Sequence, residues 1–205
     1  MTRGHIGCRI GAASIALAIA TTAPLARAGL VNVDWGSGVG QTMVLSDNSP
    51  ITDTTGFTFE IGTFDSYDPT TLMFDEWRTN WNVLHSSGVV ESPPTSGQYA
   101  FGGATSFTDV DPFAAFAGQD LYIWGYDHLD LNGRTEWVLF TRTGSPDPWV
   151  VPTAPVGQTS LDVDFFLSTA DTAIKGMIHD SGGAFDIQTM AMGPEPTRAL
   201  LLLAG

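Results

Sequence analysis

The sequence predicts an all-β chain: a two-sheet, jelly-roll-like sandwich of about eight or nine strands with one short amphipathic helix. Three observations carry this prediction. Apolar residues come mostly in short runs of period two. Gly, Pro, Asn, Asp and Ser separate those runs, and the 23 Gly and 12 Pro of the chain supply the turns. One segment takes the helical period instead. The 205 residues are enough to bury one core, and no internal repeat or long linker divides them.

The elements follow in chain order. Val31 and Val33 alternate in a first strand. Gly36-Ser37-Gly38-Val39-Gly40 is a flexible turn, since it lacks the lysine and the helix signal of a phosphate loop. Phe57, Phe59 and Ile61 face one way, with Thr58 and Glu60 on the other side. Phe74, Trp77, Trp81 and Leu84 fall at i, i+3, i+7 and i+10, the stripe of a helix. That helix is predicted to run for about 12 residues, from Pro69-Thr70 to a stop at Gly88, with Asp75 and Glu76 at its positive end. Ser92 to Gly97 and Gly144 to Pro148 are loops. Leu121 and Ile123 oppose Tyr122, Trp124 and Tyr126, so this strand is apolar on both faces and is predicted to be central. One face should lie under the opposing sheet and the other under a loop or the helix. Trp137 and Leu139 oppose Val138 and Phe140 in the next strand. Leu161, Val163, Phe165 and Leu167 alternate with Asp162 and Asp164, giving a strand with one wet face. Phe185 and Ile187 alternate with Asp186 and Gln188 near the end.

Residues 1–28 have the layout of a secretory signal peptide. Arg3 and Arg9 form a basic start, Ile10 to Ala20 an apolar run, and Ala26-Arg27-Ala28 a cleavage site that leaves Gly29 as the first mature residue. The apolar run ends at two threonines and Pro24, short of a membrane span. The only cysteine, Cys8, lies in the removed segment. The net charge of −14 becomes −17 after residue 28, where five bases face all 22 acids. That sign argues against nucleic acid and anionic membrane surfaces as partners. The domain is expected to span residues 29–192.

The chain closes with Pro194-Glu195-Pro196, then Thr197-Arg198 and the run Ala199 to Ala204. This motif before a leucine-rich run resembles the PEP-CTERM sorting signal of exported bacterial proteins. The resemblance implies a Gram-negative, exopolysaccharide-producing source, Sec export and processing by an exosortase-like membrane protease. In that family a membrane-spanning helix and a basic cluster follow the motif. Here the apolar stretch is six residues against about 20 needed to span, so a truncated sorting tail over 193–205 is expected. Inner-membrane tethering is then expected only where the full tail exists. Phe57 to Phe64, Glu76-Trp77 with Asn80-Trp81, Tyr122 to Tyr126 and Thr135-Glu136-Trp137 resemble small exported proteins that carry this tail. That likeness implies architecture and address, with no chemistry.

Candidate chemistry is sparse, and no cofactor is expected unless calcium binds. Asp130, Asn132 and Gly133 match positions 3, 5 and 6 of a calcium loop, but His128 and Leu139 are wrong for positions 1 and 12. Asn132-Gly133 is better read as a hairpin turn, with a loose calcium site on Asp127 and Asp130 as the alternative. Asp109 and Asp111 would share one face of an extended segment and offer hard oxygen ligands. Trp124, Tyr126 and Trp137 could form a glycan-stacking row if exposed, with Trp77 and Trp81 read first as core. Paired carboxylates for glycoside hydrolysis would draw on Glu60, Glu76, Glu91 or Glu136. Glu136 stands out because it interrupts an apolar strand, where it would be a buried acid or a partner of Arg78 or Arg134. His85, His128 and His179 show neither metal spacing nor a nucleophile elbow. The leading expectation is a non-enzymatic exported protein of the outer surface or extracellular matrix. The alternatives are a carbohydrate-binding module, in which extracellular polysaccharide is the partner, and a secreted hydrolase.

Overall fold

The computed structural model describes residues 29–71, 74–129, 135–156 and 159–192. The expected signal peptide, the sorting tail with Pro194, Glu195 and Pro196, and the Asp130 to Arg134 turn lie outside the described residues.

The described chain is β-rich, with several packed sheets and one short helix. A six-stranded sheet is built from β3 (Thr58–Thr63), β4 (Asn82–Gly88), β8 (Tyr122–Tyr126), β9 (Thr135–Thr141), β11 (Thr172–Lys175) and β14 (Met190–Met192). Its order is β11-β9-β8-β3-β4, and β14 also pairs with β9. A three-stranded sheet has β1 (Leu30–Gly36) between β10 (Ser160–Phe166) and β7 (Gly102–Thr108). β1 runs parallel to β10 and antiparallel to β7. Two small sheets complete the set: β2 (Met43–Val44) with β12 (Met177–Ile178) and β13 (Ile187–Gln188), and β5 (Val90–Glu91) with β6 (Tyr99–Ala100).

The period-two pattern becomes burial. Val31, Val33 and Trp35 of β1 meet Phe59 and Ile61 of β3, Ile123 of β8, and Val138 and Phe140 of β9 in one continuous core. The two larger sheets thus share their inner faces, which is sandwich-like packing. β8 is central as predicted, between β3 and β9. Its opposite face carries Tyr122 and Trp124, which join Phe64, Trp77, Trp137 and Leu139 in a second apolar cluster.

The helix is shorter than its stripe predicted. α1 covers Phe74–Asn80, and the Trp81 N–H closes the last turn on the Trp77 carbonyl at 2.9 Å. Leu84 lies in β4, and Gly88 ends that strand, not a helix. The reason is that the two residues serve different cores: Trp81 packs on the second cluster and Leu84 on the first. Pro69–Thr71 forms a separate 3-10 turn. The strand around Leu161 also departs from expectation. β10 is an edge strand, Leu161 is 37% exposed, and burial begins only at Phe165. Leu167 is buried, but in a 3-10 turn beyond the strand.

One glycine pair sets the geometry at the edge. Gly36 and Gly102 lie opposite each other in the β1–β7 ladder with φ of 135° and 121°. A Cβ on Gly102 would overlap the Trp35 carbonyl, and one on Gly36 would overlap the Phe101 carbonyl. Only glycine allows this close approach in that backbone region.

Candidate functional site

β4–β5 and β6–β7 are the two arms of one long hairpin. Near its tip Val90 pairs with Ala100, Glu91 pairs with Tyr99, and the Ser92 N–H bonds to the Gln98 carbonyl at 2.8 Å. The arms then part, because β4 joins β3 in the large sheet and β7 joins β1 in the small one. Two side-chain links mark the crotch of this fork. The Gly102 N–H donates to Ser87 Oγ at 3.2 Å, and Trp35 Nε1–H donates to His85 Nδ1 at 3.1 Å. Because Nδ1 accepts, the neutral His85 ring carries its proton on Nε2.

Beyond the crotch the fork opens into a cleft of about 480 Å³. Trp81 to Leu84 line one arm and Thr105 to Phe107 the other, while the 3-10 turn Pro112–Phe116 contributes Phe113 and Phe116. Phe107 and Phe113 are buried against each other edge to face. Trp81 Nε1–H donates to Glu60 Oε2 at 2.8 Å, which fixes the indole against the second cluster. Asp111 is the one carboxylate among the described lining residues, and its Oδ2 is engaged by the Thr108 N–H at 2.6 Å and the Thr108 hydroxyl at 2.9 Å. Those bonds hold the Asp111 carboxyl below the usual carboxylate range.

The nominated carboxylates do not converge. Asp109 and Asp111 sit in a turn closed by the Asp111 N–H on the Thr108 carbonyl at 3.1 Å, so the extended, one-sided geometry expected of them is absent. Asp127 Oδ1 accepts from the His128 N–H at 2.7 Å, the Thr135 hydroxyl at 2.7 Å and the Glu136 N–H at 3.0 Å. It also lies 2.8 Å from His128 Nδ1. It therefore organises the base of the β8–β9 hairpin, and Asp130 falls outside the described residues. Among the described residues no group of three His, Cys, Asp or Glu side chains could hold a metal ion.

Glu136 is buried, at 6% exposure, as its apolar strand suggested. Its carboxylate accepts from the Ser46 hydroxyl at 2.8 Å, the Ser46 N–H at 3.2 Å and the Thr189 hydroxyl at 2.6 Å. It ties three distant stretches of chain together. Arg78, one of its two expected partners, instead donates to the Leu129 carbonyl at 3.1 Å.

The aromatic row is covered. Trp124 and Trp137 are each 1% exposed, because α1 lays Trp77 over them. Trp77 stacks on Trp137 with ring centroids 5.6 Å apart and meets Trp124 edge-on at 5.7 Å. The expected glycan platform on Trp124, Tyr126 and Trp137 is corrected on this point: two of its three rings have no open face.

Two acids have bonding that the sequence did not indicate: Glu60, named above only as a hydrolase candidate, and Asp171. Glu60 accepts from both Trp81 and the Tyr126 hydroxyl, the latter at 2.9 Å. Burial, followed by the Glu60 charge, pushes the Tyr126 phenol well above its ordinary value. The alternation that put Glu60 on the outer face of its strand was the available signal. Asp171 accepts from the Thr143 N–H at 2.8 Å, the Thr172 hydroxyl at 2.7 Å and the Gly144 N–H at 2.7 Å. These bonds hold its carboxyl down at about 2.

No family model, curated protein or solved structure matches this chain.

Proposed function

We propose that this is a non-enzymatic, exported protein of the outer surface or extracellular matrix of a Gram-negative, exopolysaccharide-producing bacterium, and that it works by binding. On this reading the two larger sheets form a jelly-roll-like sandwich and the fork between β4 and β7 is its binding feature. One observation supports the binding role above catalysis. The acids best suited to chemistry, Glu136, Asp127, Asp111 and Glu60, are each bonded into the frame, and among the described residues the cleft lining brings no second carboxylate beside Asp111. A glycosidase needs two carboxyls facing one bond. The export half of the proposal rests on the segments at 1–28 and 193–205.

The test is cell fractionation of a Gram-negative host carrying the gene, with N-terminal sequencing of the product. The expected product starts at Gly29 and is recovered from the outer surface or the medium. Retention in the cytoplasm with residues 1–28 intact would overturn the reading.

A further inference from the structure

The two arms of the fork are both edge strands with an unusual composition. Among the described residues β4 pairs with β3 alone and β7 with β1 alone, so each arm keeps one edge without a strand partner, and both arms line the cleft. Folded proteins guard such edges with charges, prolines or cover. Neither Asn82–Gly88 nor Gly102–Thr108 contains Asp, Glu, Lys, Arg or Pro. The omission is selective. Asp34 on β1, Glu60 on β3, Glu136 on β9, and Asp162 and Asp164 on β10 show that the other long strands carry acids. Val83, on the β4 arm, is 46% exposed.

From these edges we infer that the fork is a docking site for an extended segment of another polypeptide, which adds as a strand between β4 and β7. Strand addition takes its affinity from main-chain hydrogen bonds and its selectivity from alternate side chains. The lining residues Trp81 to Leu84 set the length: at 3.3 Å per residue they span roughly 13 Å, room for about four or five residues. Inward-facing side chains of the guest meet Leu84, Phe107 and Phe113, so every second guest residue is apolar. The charge of the host settles its flanks. A segment entering a chain of net −17 after residue 28 is uncharged where it pairs and basic on either side. The same charge disfavours a second copy of this chain, which would bring its own −17 to the contact.

The probe is a synthetic peptide of alternating valine and threonine, capped at both termini, with two lysines at each end. It is titrated into the full chain, with amide hydrogen exchange followed by NMR. The expected result is saturable binding with slowed exchange on both arms, at Val83–Leu84 and at Thr105–Ser106. A glutamate-flanked version should bind about tenfold more weakly, a difference of about 1.4 kcal/mol. N-methylation of alternate backbone nitrogens on the edge-pairing side should abolish binding. The double variant Val83→Lys with Ser106→Lys, both at exposed positions, should keep the parent melting curve and lose the peptide. Four outcomes would overturn the proposal. They are no saturation at millimolar peptide, protection on neither arm or on one arm alone, self-association of the free protein that protects the same amides, and protection of these amides by cellohexaose where the peptide fails.

Discussion

Replacing Trp77 with alanine tests the claim that the helix is held by the sheet beneath it. α1 has seven residues, far below the length at which a helix persists in water by itself. Its anchor is Trp77, which is 1% exposed and packs against Phe64, Trp124 and Trp137 at centroid distances of 5.5, 5.7 and 5.6 Å. Truncating a buried tryptophan to alanine costs about 3–5 kcal/mol, through lost transfer energy and the cavity left behind. In a domain of this size 1 kcal/mol moves the melting temperature by about 2–4 °C, so Trp77→Ala should lower it by roughly 6–20 °C. Urea unfolding gives the free energy, and near-ultraviolet circular dichroism reports the loss of the tryptophan cluster. Trp77→Phe provides the control. Trp77 Nε1 bonds to nothing among the described residues, so the phenylalanine forfeits area but no hydrogen bond and should cost less than half as much as alanine. A loss below about 1 kcal/mol for Trp77→Ala would refute the reasoning, because it would mean that the cluster closes without its lid.

Three further predictions follow from the frame. Gly102→Ala should destabilise the domain by about 1–3 kcal/mol, because its φ of 121° and the Trp35 carbonyl both exclude a Cβ; chemical denaturation measures it. Glu136→Ala should cost about 2 kcal/mol or more by the same measurement, since it removes the acceptor shared by Ser46 and Thr189 inside the protein. Asp171 gives a pH dependence with a definite sign. Its folded carboxyl sits at about 2, below the ordinary 3.8, so its contribution is fully present above about pH 4 and is lost as pH falls toward 2. Urea midpoints from pH 5 to pH 2 should fall less steeply in Asp171→Asn than in the parent.

The strands that alternate cleanly were legible because burial on one face imposes a period of two. Phe57, Phe59 and Ile61 are all buried, and β8 is apolar on both faces because a helix covers the side that the sandwich does not. The helix boundary was not legible. Trp81 and Leu84 continue the helical spacing by sequence, yet they face separate cores that exist only once the sheets have assembled. β7 carries little hydrophobic signal, with Phe107 as its one large apolar residue, so Gly102–Thr108 announces no strand. The cleft inherited that blindness, since both of its arms were misread or unread. A visible clue was the lack of any charge over 82–88 and 102–108 in so acidic a chain. For Glu136 the sequence pointed to burial but not to its partners, since Ser46 and Thr189 are 90 and 53 residues away.

The parallel pairing of β1 with β10 sets an order of assembly. Their facing residues lie 130 positions apart, as Asn32 and Asp162 do, whereas Tyr126 and Trp137 pair across a single hairpin. Closing the longer loop costs about 2 kcal/mol more in chain entropy than closing the hairpin. β8 and β9 can therefore meet early, and β1 can pair with β7 once residues 102–108 are made, while its other edge waits for almost the whole domain. Its Val31 and Val33, destined for the centre of the core, stay without their parallel neighbour until residues 160–166 have been made. The sheet of β1, β7 and β10 is complete only when those residues are present, and such long-range pairing slows folding.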